Sequence, residues 1–457
     1  MTAVPAHIFR EYDIRGLVED ELTPEVAERI ARAYAAHLVD ESGKRDPAVA
    51  LGHDNRLHSP KLADAVARGL AASGCAVVEV GTVPTPVLYF AAHDLSSDGA
   101  VQVTGSHNPP EYNGLKLLSG ARSLYGPAIQ AIRRRVEDSA FVEGSGSRSA
   151  DPDVLDRYVD DVSAKFTLRR PVNAVVDCGN GTASVVAVRL LERIGARVDP
   201  LYCESDGTFP NHHPDPTVDA NVRDLVRRVR ETRADVGIAF DGDGDRIGAV
   251  DELGTIVRGD VLLMVYAQDA LRRGRTREVI FDVKCSQALE EVVRAHGGEP
   301  VMWKTGHSLI KEKMRETGAK LAGEMSGHMF FADDYHGYDD ALYAACRLLD
   351  VLARALRPLS AVVAEFPRYV STPEIRVDCP EERKWEIVRA ATEHFRARYP
   401  VVDVDGARVR FADGWALVRA SNTQPVLVLR YEAQEEAALS RIRGEVEEWL
   451  RGQGVDL

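Results

Sequence analysis

The chain repeats one pattern of apolar and polar segments three times. In each copy a short apolar strand is followed by a polar loop and a helix, and the helix ends near a glycine. The first strands of the copies are predicted over residues 48–54, 172–177 and 278–282. Strands that alternate with helices are typical of mainly parallel sheets. The pattern therefore predicts three topologically related α/β domains.

The later elements of the copies also agree. The helices are predicted to end near residues 72, 194 and 296. Second strands are predicted over 76–80, 197–202 and 300–303, and third strands over 99–103, 235–240 and 319–322. A fixed internal period of this kind indicates repeated structural units.

Each third strand leads into a loop that carries reactive side chains. These loops cover residues 104–109, 241–246 and 323–328. Ligands of parallel α/β sheets bind beyond the carboxyl ends of the strands, so we expect the three loops to face one cleft. Three independent domains with unrelated loops are the alternative, which the complementary chemistry of the loops disfavours.

The pattern changes after about residue 365. Strands are predicted over 373–377, 415–419 and 426–431, helices over 381–399 and 435–450, and a hairpin over 401–410. Antiparallel strands with helices on one face predict an α+β domain. The expected domains are residues 1–150, 151–252 and 253–366, all α/β, and the α+β domain 367–457, with mobility near Pro367.

Composition narrows the class of protein. The chain has 457 residues and a net charge of −14, and no basic stripe of the kind that nucleic-acid binders carry. No apolar run is long enough to span a bilayer, and the N-terminal residues lack the features of a signal peptide. The six cysteines form no Cys-x-x-Cys pair and are interpreted as reduced thiols. We expect a cytoplasmic protein that binds neither nucleic acid nor membranes.

The loop after the third strand of the second copy is a candidate metal site. Asp241, Asp243 and Asp245 alternate with two glycines, which let the backbone wrap closely around a cation. Oxygen ligands suit Mg²⁺, Mn²⁺ or Ca²⁺ rather than zinc. An EF-hand needs glycine at its sixth position, where Arg246 stands, and has helical flanks. A solvated acidic turn leaves the two glycines unexplained.

Ser106 lies in the corresponding loop of the first copy, beside His107 and before two prolines. A lone loop serine is usually a turn residue. The equivalent position of the acidic loop favours a nucleophile or phosphoryl carrier. Lys116, on the strand that follows, is suited to neutralise phosphoryl oxygens.

Two further loops offer groups for a sugar phosphate. The third copy presents a carboxylate, a hydroxyl and an imidazole suited to vicinal sugar hydroxyls: Glu324, Ser326 and His328. The last domain presents one guanidinium with polar groups that form a cradle for a phosphate dianion: Arg419, Ser421, Asn422 and Thr423. An ordinary polar turn is the alternative for the second loop.

Taken together, these motifs resemble the α-D-phosphohexomutase superfamily, most closely its bacterial phosphomannomutase/phosphoglucomutase branch. The resemblance covers essentially the whole chain. Residues 104–109 resemble the phosphoserine loop, 241–246 the metal loop, 323–328 the sugar-binding loop and 419–423 the phosphate-binding loop. The joint match in the family's order is specific, although each motif alone is weak.

The resemblance implies four domains around a central cleft and an isomerase that moves phosphate between C1 and C6 of mannose and/or glucose. It implies Mg²⁺ held by Asp241, Asp243, Asp245 and the phosphate on Ser106. Phosphoserine Ser106 is expected to donate its phosphoryl group and to regain another through a hexose 1,6-bisphosphate, which also serves as activator.

The resemblance also implies roles for individual residues. Arg15, Lys116 and His328 are expected near the reacting oxygens, and His107 and Arg246 are expected to add charge. Glu324 and Ser326 are expected to bind sugar hydroxyls. The remaining residues are expected to hold the ligand or its non-transferred phosphate: Tyr12, Lys284, His307, Arg419, Ser421, Asn422 and Thr423.

Three alternatives to this activity stay open at this point. A phosphoglucosamine or glucose-only mutase differs in the sugar. A binding protein that lost catalysis is disfavoured by the intact Ser106 and aspartates. A metal-dependent phosphatase would pass the phosphoryl group to water. The expected partners are small sugar phosphates, and the expected state is a monomer or weak homo-oligomer.

Overall fold

The computed structural model describes residues 4–422 and 424–457. The chain divides into two compact units. The first unit comprises Met1–Arg258 and Ser326–Ala361, and the second comprises Gly259–Met325 and Val362–Leu457.

The first unit opens with a mixed sheet and its helices: β1 (Ile14–Leu17), α1 (Pro24–Ser42), β2 (Ala48–His53), α2 (Ser59–Ala72), β3 (Ala76–Thr82), α3 (Thr85–Asp94), β4 (Gly99–Val103), β5 (Tyr112–Ser119), β6 (Arg122–Ser123), α4 (Pro127–Glu137) and β7 (Ser147–Ala150). The strand order is β1-β5-β4-β2-β3-β7, and β6 pairs with β5. Strands β2, β3 and β4 are parallel, whereas β5 runs antiparallel to β4. Fully buried aliphatic side chains of α1 and α2 cover one face of this sheet.

A second sheet follows in the same unit, formed with the elements α5 (Val154–Ser163), β8 (Asn173–Asp177), α6 (Ala187–Arg193), β9 (Arg197–Leu201), α7 (Arg223–Thr232), β10 (Val236–Phe240), β11 (Ile247–Asp251) and β12 (Ile256–Val257). Its strand order is β12-β11-β10-β8-β9. A short 3₁₀ helix, Thr182–Val185, precedes α6. The antiparallel strands β10 and β11 flank the acidic loop. An EF-hand loop has helical flanks, so the EF-hand alternative is wrong.

The third group of elements is α8 (Gly259–Arg272), β13 (Glu278–Asp282), α9 (Gln287–Ala295), β14 (Glu299–Trp303), α10 (His307–Thr317), β15 (Leu321–Gly323), β16 (Met329–Phe331), α11 (Ala341–Ala355) and α12 (Leu359–Val363). Strands β14, β13 and β15 are parallel and belong to the second unit. Strand β16 and helix α11 belong to the first unit.

The three strands of each predicted repeat pair in the same way. The orders β4-β2-β3, β10-β8-β9 and β15-β13-β14 all place the first strand between the other two, and all of these pairs are parallel. The prediction of three topologically related α/β domains is confirmed. Their reactive loops follow β4, β10 and β15, at the carboxyl ends of these strands.

The C-terminal part of the second unit contains β17 (Val370–Ser371), β18 (Ile375–Asp378), α13 (Glu381–Arg396), β19 (Val401–Val402), β20 (Ala407–Phe411), β21 (Gly414–Ala420), β22 (Val426–Ala433) and α14 (Glu436–Gly452). Its sheet pairs are antiparallel, as an α+β domain predicts. Helix α13 ends three residues earlier than the predicted Tyr399, since Pro400 disfavours helical backbone at the residue before it. Among the described residues, no helix combines the length and the apolar character that crossing a membrane requires.

Candidate functional site

Ser106 lies in a strained and buried loop between β4 and β5. Its φ of 48° is unusual for a residue with a side chain, and only 2% of the residue is exposed. The hydroxyl donates to Asp241 Oδ2 at 3.1 Å and lies 3.0 Å from His107 Nδ1. Backbone strain of this kind persists where the surroundings fix it, and it is frequent at functional sites.

Arg56, which sequence reasoning missed, holds this loop in place. The buried guanidinium donates to the carbonyls of Ser106 at 2.8 Å and Asn108 at 2.6 Å. It also donates to the carbonyls of Pro109 at 2.6 Å and Tyr112 at 3.1 Å. Arg56 follows β2, so its place at the carboxyl end of a parallel strand was the available signal.

The acidic loop between β10 and β11 lies directly against the Ser106 loop. A Cβ on Gly242 would stand 2.3 Å from the Ser106 carbonyl oxygen, so only glycine fits between the two loops. Lys116, on β5, donates to Asp243 Oδ2 at 2.6 Å and to Asp245 Oδ2 at 2.5 Å. The structure thus brings together Ser106, Lys116 and the aspartates that the sequence singled out.

The three aspartates form a group that fits a hard cation. One carboxylate oxygen from each lies within 4.8 Å of the others, and all three residues are buried. The Oδ1 atoms of Asp243 and Asp245 are buried without a hydrogen-bond partner among the described residues. Buried acceptors are rarely left unsatisfied, so oxygens that point at one another suit a divalent cation such as Mg²⁺.

The pKa values of Asp241 and Asp243 are shifted in opposite directions. Burial, together with the charges of Asp245 and Asp243, raises the pKa of Asp241 well above its usual value. For Asp243, burial also opposes ionisation, but the Lys116 ammonium outweighs it and holds the pKa below its usual range. Lys116 forms ion pairs with Asp243 and Asp245. Arg246 and Arg15 add positive charge that favours the ionised carboxylates, as a bound divalent cation would.

His328 is oriented by two neighbours in the first unit. Arg246 Nε donates to His328 Nε2 at 3.0 Å, so the imidazole proton belongs on Nδ1. That nitrogen lies 3.3 Å from Asp339 Oδ2 and 3.8 Å from Asp245 Oδ1. A backbone hydrogen bond from Ile247 to the Gly327 carbonyl, 3.1 Å long, anchors the segment that carries His328.

Two further predicted residues lie beside the Ser106 loop. Arg15, on β1, donates to Asn108 Oδ1 at 2.6 Å and to Asp13 Oδ2 at 2.8 Å. Burial and the neighbouring charges of Arg246 and Arg15 lower the pKa of His107 well below its usual value. A neutral imidazole therefore faces the Ser106 hydroxyl, contrary to the charge expected of His107, because burial and neighbouring cations disfavour its protonation. The positive charge comes from Arg15, Lys116 and Arg246.

A second candidate site lies in the second unit, around Glu324 and Asp405. Glu324 is 2% exposed and accepts a hydrogen bond from the Gly306 amide at 2.6 Å. Asp405 Oδ2 accepts from the Thr305 amide at 2.9 Å and from Arg419 Nε at 2.7 Å. The sequence pattern predicts a hairpin over 401–410, which contains Asp405. The structure shows that the Asp405 carboxylate joins the loop before α10 to Arg419.

Two more predicted ligand residues belong to the same unit. Lys284 donates to Glu374 Oε2 at 3.2 Å, and this ion pair lowers the pKa of Glu374 to about 2. The pair holds Lys284 at the carboxyl end of β13. His307 is the first residue of α10 and is 9% exposed.

The predicted phosphate-binding loop between β21 and β22 is supported by a buried lysine that the sequence did not indicate. Lys384 Nζ donates to the carbonyls of Ser421 at 2.6 Å and Gln424 at 3.1 Å. Ser421 is buried and Asn422 is half-buried. Thr423, a predicted member of the loop, lies outside the described residues. Tyr12 and Ser326 are half-buried residues of the first unit.

Sequence models of one family match almost the whole chain. The match comprises phosphoglucomutase/phosphomannomutase alpha/beta/alpha domains I, II and III over residues 6–143, 156–254 and 258–369. The C-terminal domain of the same family matches residues 374–448.

Curated relatives agree with these matches over nearly full length. The phosphomannomutase/phosphoglucomutase of Pseudomonas aeruginosa strain PAO1 is 48% identical over 441 residues, 96% of this chain and 94% of that protein. The phosphoglucomutase of Neisseria gonorrhoeae is 44% identical over 447 residues, 97% of this chain and 96% of that protein. The chain belongs to the phosphoglucomutase/phosphomannomutase family.

Structural comparison gives the same result. A crystal structure of a phosphoglucomutase/phosphomannomutase family protein from Burkholderia thailandensis has a TM-score of 0.91 and 44% sequence identity, and the alignment covers 98% of each chain. Phosphoglucomutase/phosphomannomutase enzymes are isomerases that work through a phosphoserine and a hexose 1,6-bisphosphate, and they depend on Mg²⁺. The predicted superfamily, enzyme class and cofactors are confirmed.

Proposed function

We propose that the chain interconverts the 1-phosphates and 6-phosphates of mannose and glucose, with Ser106 as the phosphoryl carrier. One observation carries the residue assignment. The Ser106 hydroxyl lies 3.1 Å from Asp241 in a buried, strained loop that packs against the acidic loop. A nucleophilic hydroxyl beside a candidate cation site and a buried lysine is the arrangement that phosphoryl transfer needs.

In the forward step, the bond between phosphorus and Ser106 Oγ breaks while a bond to a sugar hydroxyl forms. The sugar hydroxyl loses its proton as this bond forms, and Ser106 Oγ takes up a proton, which restores the serine hydroxyl. The sugar is then a 1,6-bisphosphate, and its other phosphoryl group returns to Ser106 Oγ. Such transfers depend mainly on alignment and on neutralising the charge of the phosphoryl oxygens.

The chain's own residues supply the alignment and part of the charge. Arg56 holds the carbonyls around Ser106, and Arg15 fixes Asn108 in the same loop. Lys116 Nζ presents an ammonium beside the carboxylates. Asp241, Asp243 and Asp245 are proposed to hold Mg²⁺, which when bound would neutralise negative charge on phosphoryl oxygens. His328 Nδ1 lies 3.8 Å from Asp245 Oδ1, and His328 is proposed to lie near the reacting oxygens.

Residues of the second unit are also proposed to take part in ligand binding. Glu324 presents a buried carboxylate suited to sugar hydroxyls. Arg419 and Ser421, held by Asp405 and Lys384, provide a phosphate site. Lys284, His307 and Asn422 are also proposed as ligand-binding residues. Contacts of Tyr12, Ser326 and Thr423 with the substrate stay predictions.

A substrate panel tests this proposal. Mannose 1-phosphate and glucose 1-phosphate are incubated with Mg²⁺ and a trace of the matching 1,6-bisphosphate, and products are followed by phosphorus NMR. Both should yield the 6-phosphate, and Ser106→Ala should yield none. Free phosphate as the main product would favour a phosphatase, and conversion of glucosamine 1-phosphate alone would reassign the sugar.

We also propose that the enzyme works in the cytoplasm as a monomer or weak homo-oligomer. All six cysteines are free thiols, in agreement with a reducing compartment. Light scattering after gel filtration tests the oligomeric state, because a stable tetramer at micromolar concentration would contradict it.

A further inference from the structure

Cys178 and Cys203 lie far apart in sequence but adjacent in the first unit. Cys178 follows β8 directly, and Cys203 stands two residues after β9. Strands β8 and β9 are parallel, with Asp177 paired to Leu201. Continuing this register by one residue places Cys178 beside Tyr202, the residue before Cys203.

The two sulfur atoms already touch. Their Sγ atoms are 3.2 Å apart, so closing a bond needs an approach of only about 1 Å. Cys178 is fully buried and Cys203 is half-buried. The described side chains contain no other pair of cysteines in hydrogen-bond contact.

The environment makes the two thiols unequal. The hydrogen bond with Cys203 and burial raise the pKa of Cys178 well above its usual value. The same bond lowers the pKa of Cys203, aided by backbone contacts. The more exposed sulfur is therefore the better nucleophile, and the buried sulfur is placed behind it.

Both cysteines lie next to the turn formed by residues 178–182, which contacts the acidic loop. Cys178 begins the turn that continues to Thr182, whose amide donates to the Gly242 carbonyl at 2.9 Å. A Cβ on Gly181 would stand 2.9 Å from the same carbonyl oxygen. The Asn180 amide donates to the Tyr202 carbonyl at 2.8 Å, immediately before Cys203. A contraction between the two cysteines thus acts on the backbone behind Asp241 and Asp243.

We propose that Cys178 and Cys203 form a reversible disulfide when a hydroperoxide reaches Cys203, and that this bond weakens cation binding at the acidic loop. The effect on cation binding rests on the proposed function of that loop. The redox chemistry of the pair does not.

The chemistry balances with the hydroperoxide as oxidant. The Cys203 sulfur attacks the distal peroxide oxygen, a sulfur–oxygen bond forms, the oxygen–oxygen bond breaks, and an alcohol or water leaves. The Cys178 sulfur then attacks the Cys203 sulfenic acid, the disulfide forms, and the hydroxyl leaves as water with the Cys178 proton. Two thiols are oxidised by two electrons, and the peroxide is reduced.

The test uses the reduced full-length protein and increasing hydrogen peroxide. Intact mass should fall by two hydrogen atoms, and unreduced digestion should give one cross-linked peptide that contains Cys178 and Cys203. Dithiothreitol should reverse the change. Cys203→Ser and Cys203→Ala should abolish the cross-link, whereas Cys75→Ala, which removes a buried thiol of the first sheet, should retain it.

The same samples report on cation binding. Oxidation should weaken the apparent affinity for Mg²⁺ by roughly tenfold, as loss of a supporting contact does at metal sites, and Cys203→Ser should not respond. Absence of the Cys178–Cys203 peptide overturns the redox pair. A cross-link with unchanged Mg²⁺ affinity overturns the coupling. If the reduced protein has no mutase activity, the proposed function fails, while the peptide still decides the redox pair.

Discussion

At the scale of single residues, the Ser106 loop depends on a guanidinium that the motif itself does not contain. The Arg56 guanidinium donates hydrogen bonds to four backbone carbonyls of the loop. A lysine is a point charge without the planar fork of arginine and cannot satisfy all of them.

Arg56→Lys should therefore lower stability and activity together. At least one of the four carbonyls would lose its donor, at about 1–3 kcal/mol. Misplacement of Ser106 should lower kcat by roughly 100-fold. Urea denaturation and steady-state kinetics measure both effects. Arg134→Lys, at an exposed position of α4, is the matched control, and equal kinetics of the two variants would contradict the role of Arg56.

Lys116→Met tests the charge balance of the acidic group. The change leaves Asp243 and Asp245 buried without their ammonium, at a cost of about 3–5 kcal/mol. The free energy of unfolding in EDTA should fall by an amount of this size, and added Mg²⁺ should restore part of the lost stability. The kcat should fall by roughly 100-fold or more, as for loss of a group that stabilises a charged transition state.

Denaturation with and without Mg²⁺ measures the stability effect. Lys61→Met, on the exposed side of α2, serves as control. A Lys116→Met variant as stable as wild type in EDTA would show that the carboxylates do not need this ammonium.

Several of these residues were predictable and several were not. Ser106, Lys116 and the aspartates stand in loops at equivalent places of a repeat, so the sequence pattern finds them. Arg56 and Lys384 act through backbone carbonyls that are distant in sequence. Asp405 resembles a turn residue, and no local sequence pattern predicts the hydrogen bond that it accepts from Arg419.

At the scale of elements, the sequence predicts the repeat because apolar runs, glycines and helix starts recur at matching places. The structure adds what this pattern does not contain. β7 pairs with β3 although its four residues are exposed and three of them are polar, since its main chain makes the contact. The predicted helix after Cys178 is divided into a 3₁₀ turn and α6.

Helix α11 begins at a carboxylate whose ionisation is coupled to folding. Asp340 accepts a hydrogen bond from the Tyr343 amide at 2.8 Å and bonds from the hydroxyls of Tyr158 and Tyr335. Burial raises the pKa of this carboxyl to about 6, against the opposing effect of these bonds. The folded state keeps the proton up to about pH 6, whereas an unfolded aspartate releases it near about pH 4. Wild-type stability should therefore fall as pH rises through this window.

Asp340→Asn removes the titration and keeps a helix-capping side chain. The variant should match wild type near about pH 4 and exceed it above about pH 6, by at most about 3 kcal/mol. Urea midpoints in EDTA across this range measure the difference. Asp334→Asn, at an exposed position of the same segment, should show no such trend. A gain for Asp340→Asn that is largest in acid would contradict the account.

At the scale of the whole molecule, cation binding should appear as added stability of the folded chain. At a concentration 100 times its Kd, Mg²⁺ should add about 2.7 kcal/mol. Thermal unfolding should shift upward in the wild type and much less in Asp245→Asn. Asp199→Asn, with a carboxylate in a surface ion pair, should respond as the wild type does. Equal shifts in all three proteins would place the cation elsewhere.

The family and the domain types of this enzyme are confirmed, whereas the arrangement of its domains stays a prediction. The family, the three related α/β domains and the α+β domain are confirmed. The exact domain boundaries, the central cleft and mobility near Pro367 stay predictions, because they depend on contacts and motions between domains rather than on local patterns.

One measurement tests whether Ser106 carries a phosphoryl group that passes to and from the sugar. It is the intact mass of the enzyme after incubation with glucose 1,6-bisphosphate, followed by mannose 1-phosphate. We expect a single phosphoryl adduct, mapped to Ser106 and absent from Ser106→Ala, that is transferred to the sugar. An adduct that survives in Ser106→Ala, or one that is released only as free phosphate, would contradict this expectation.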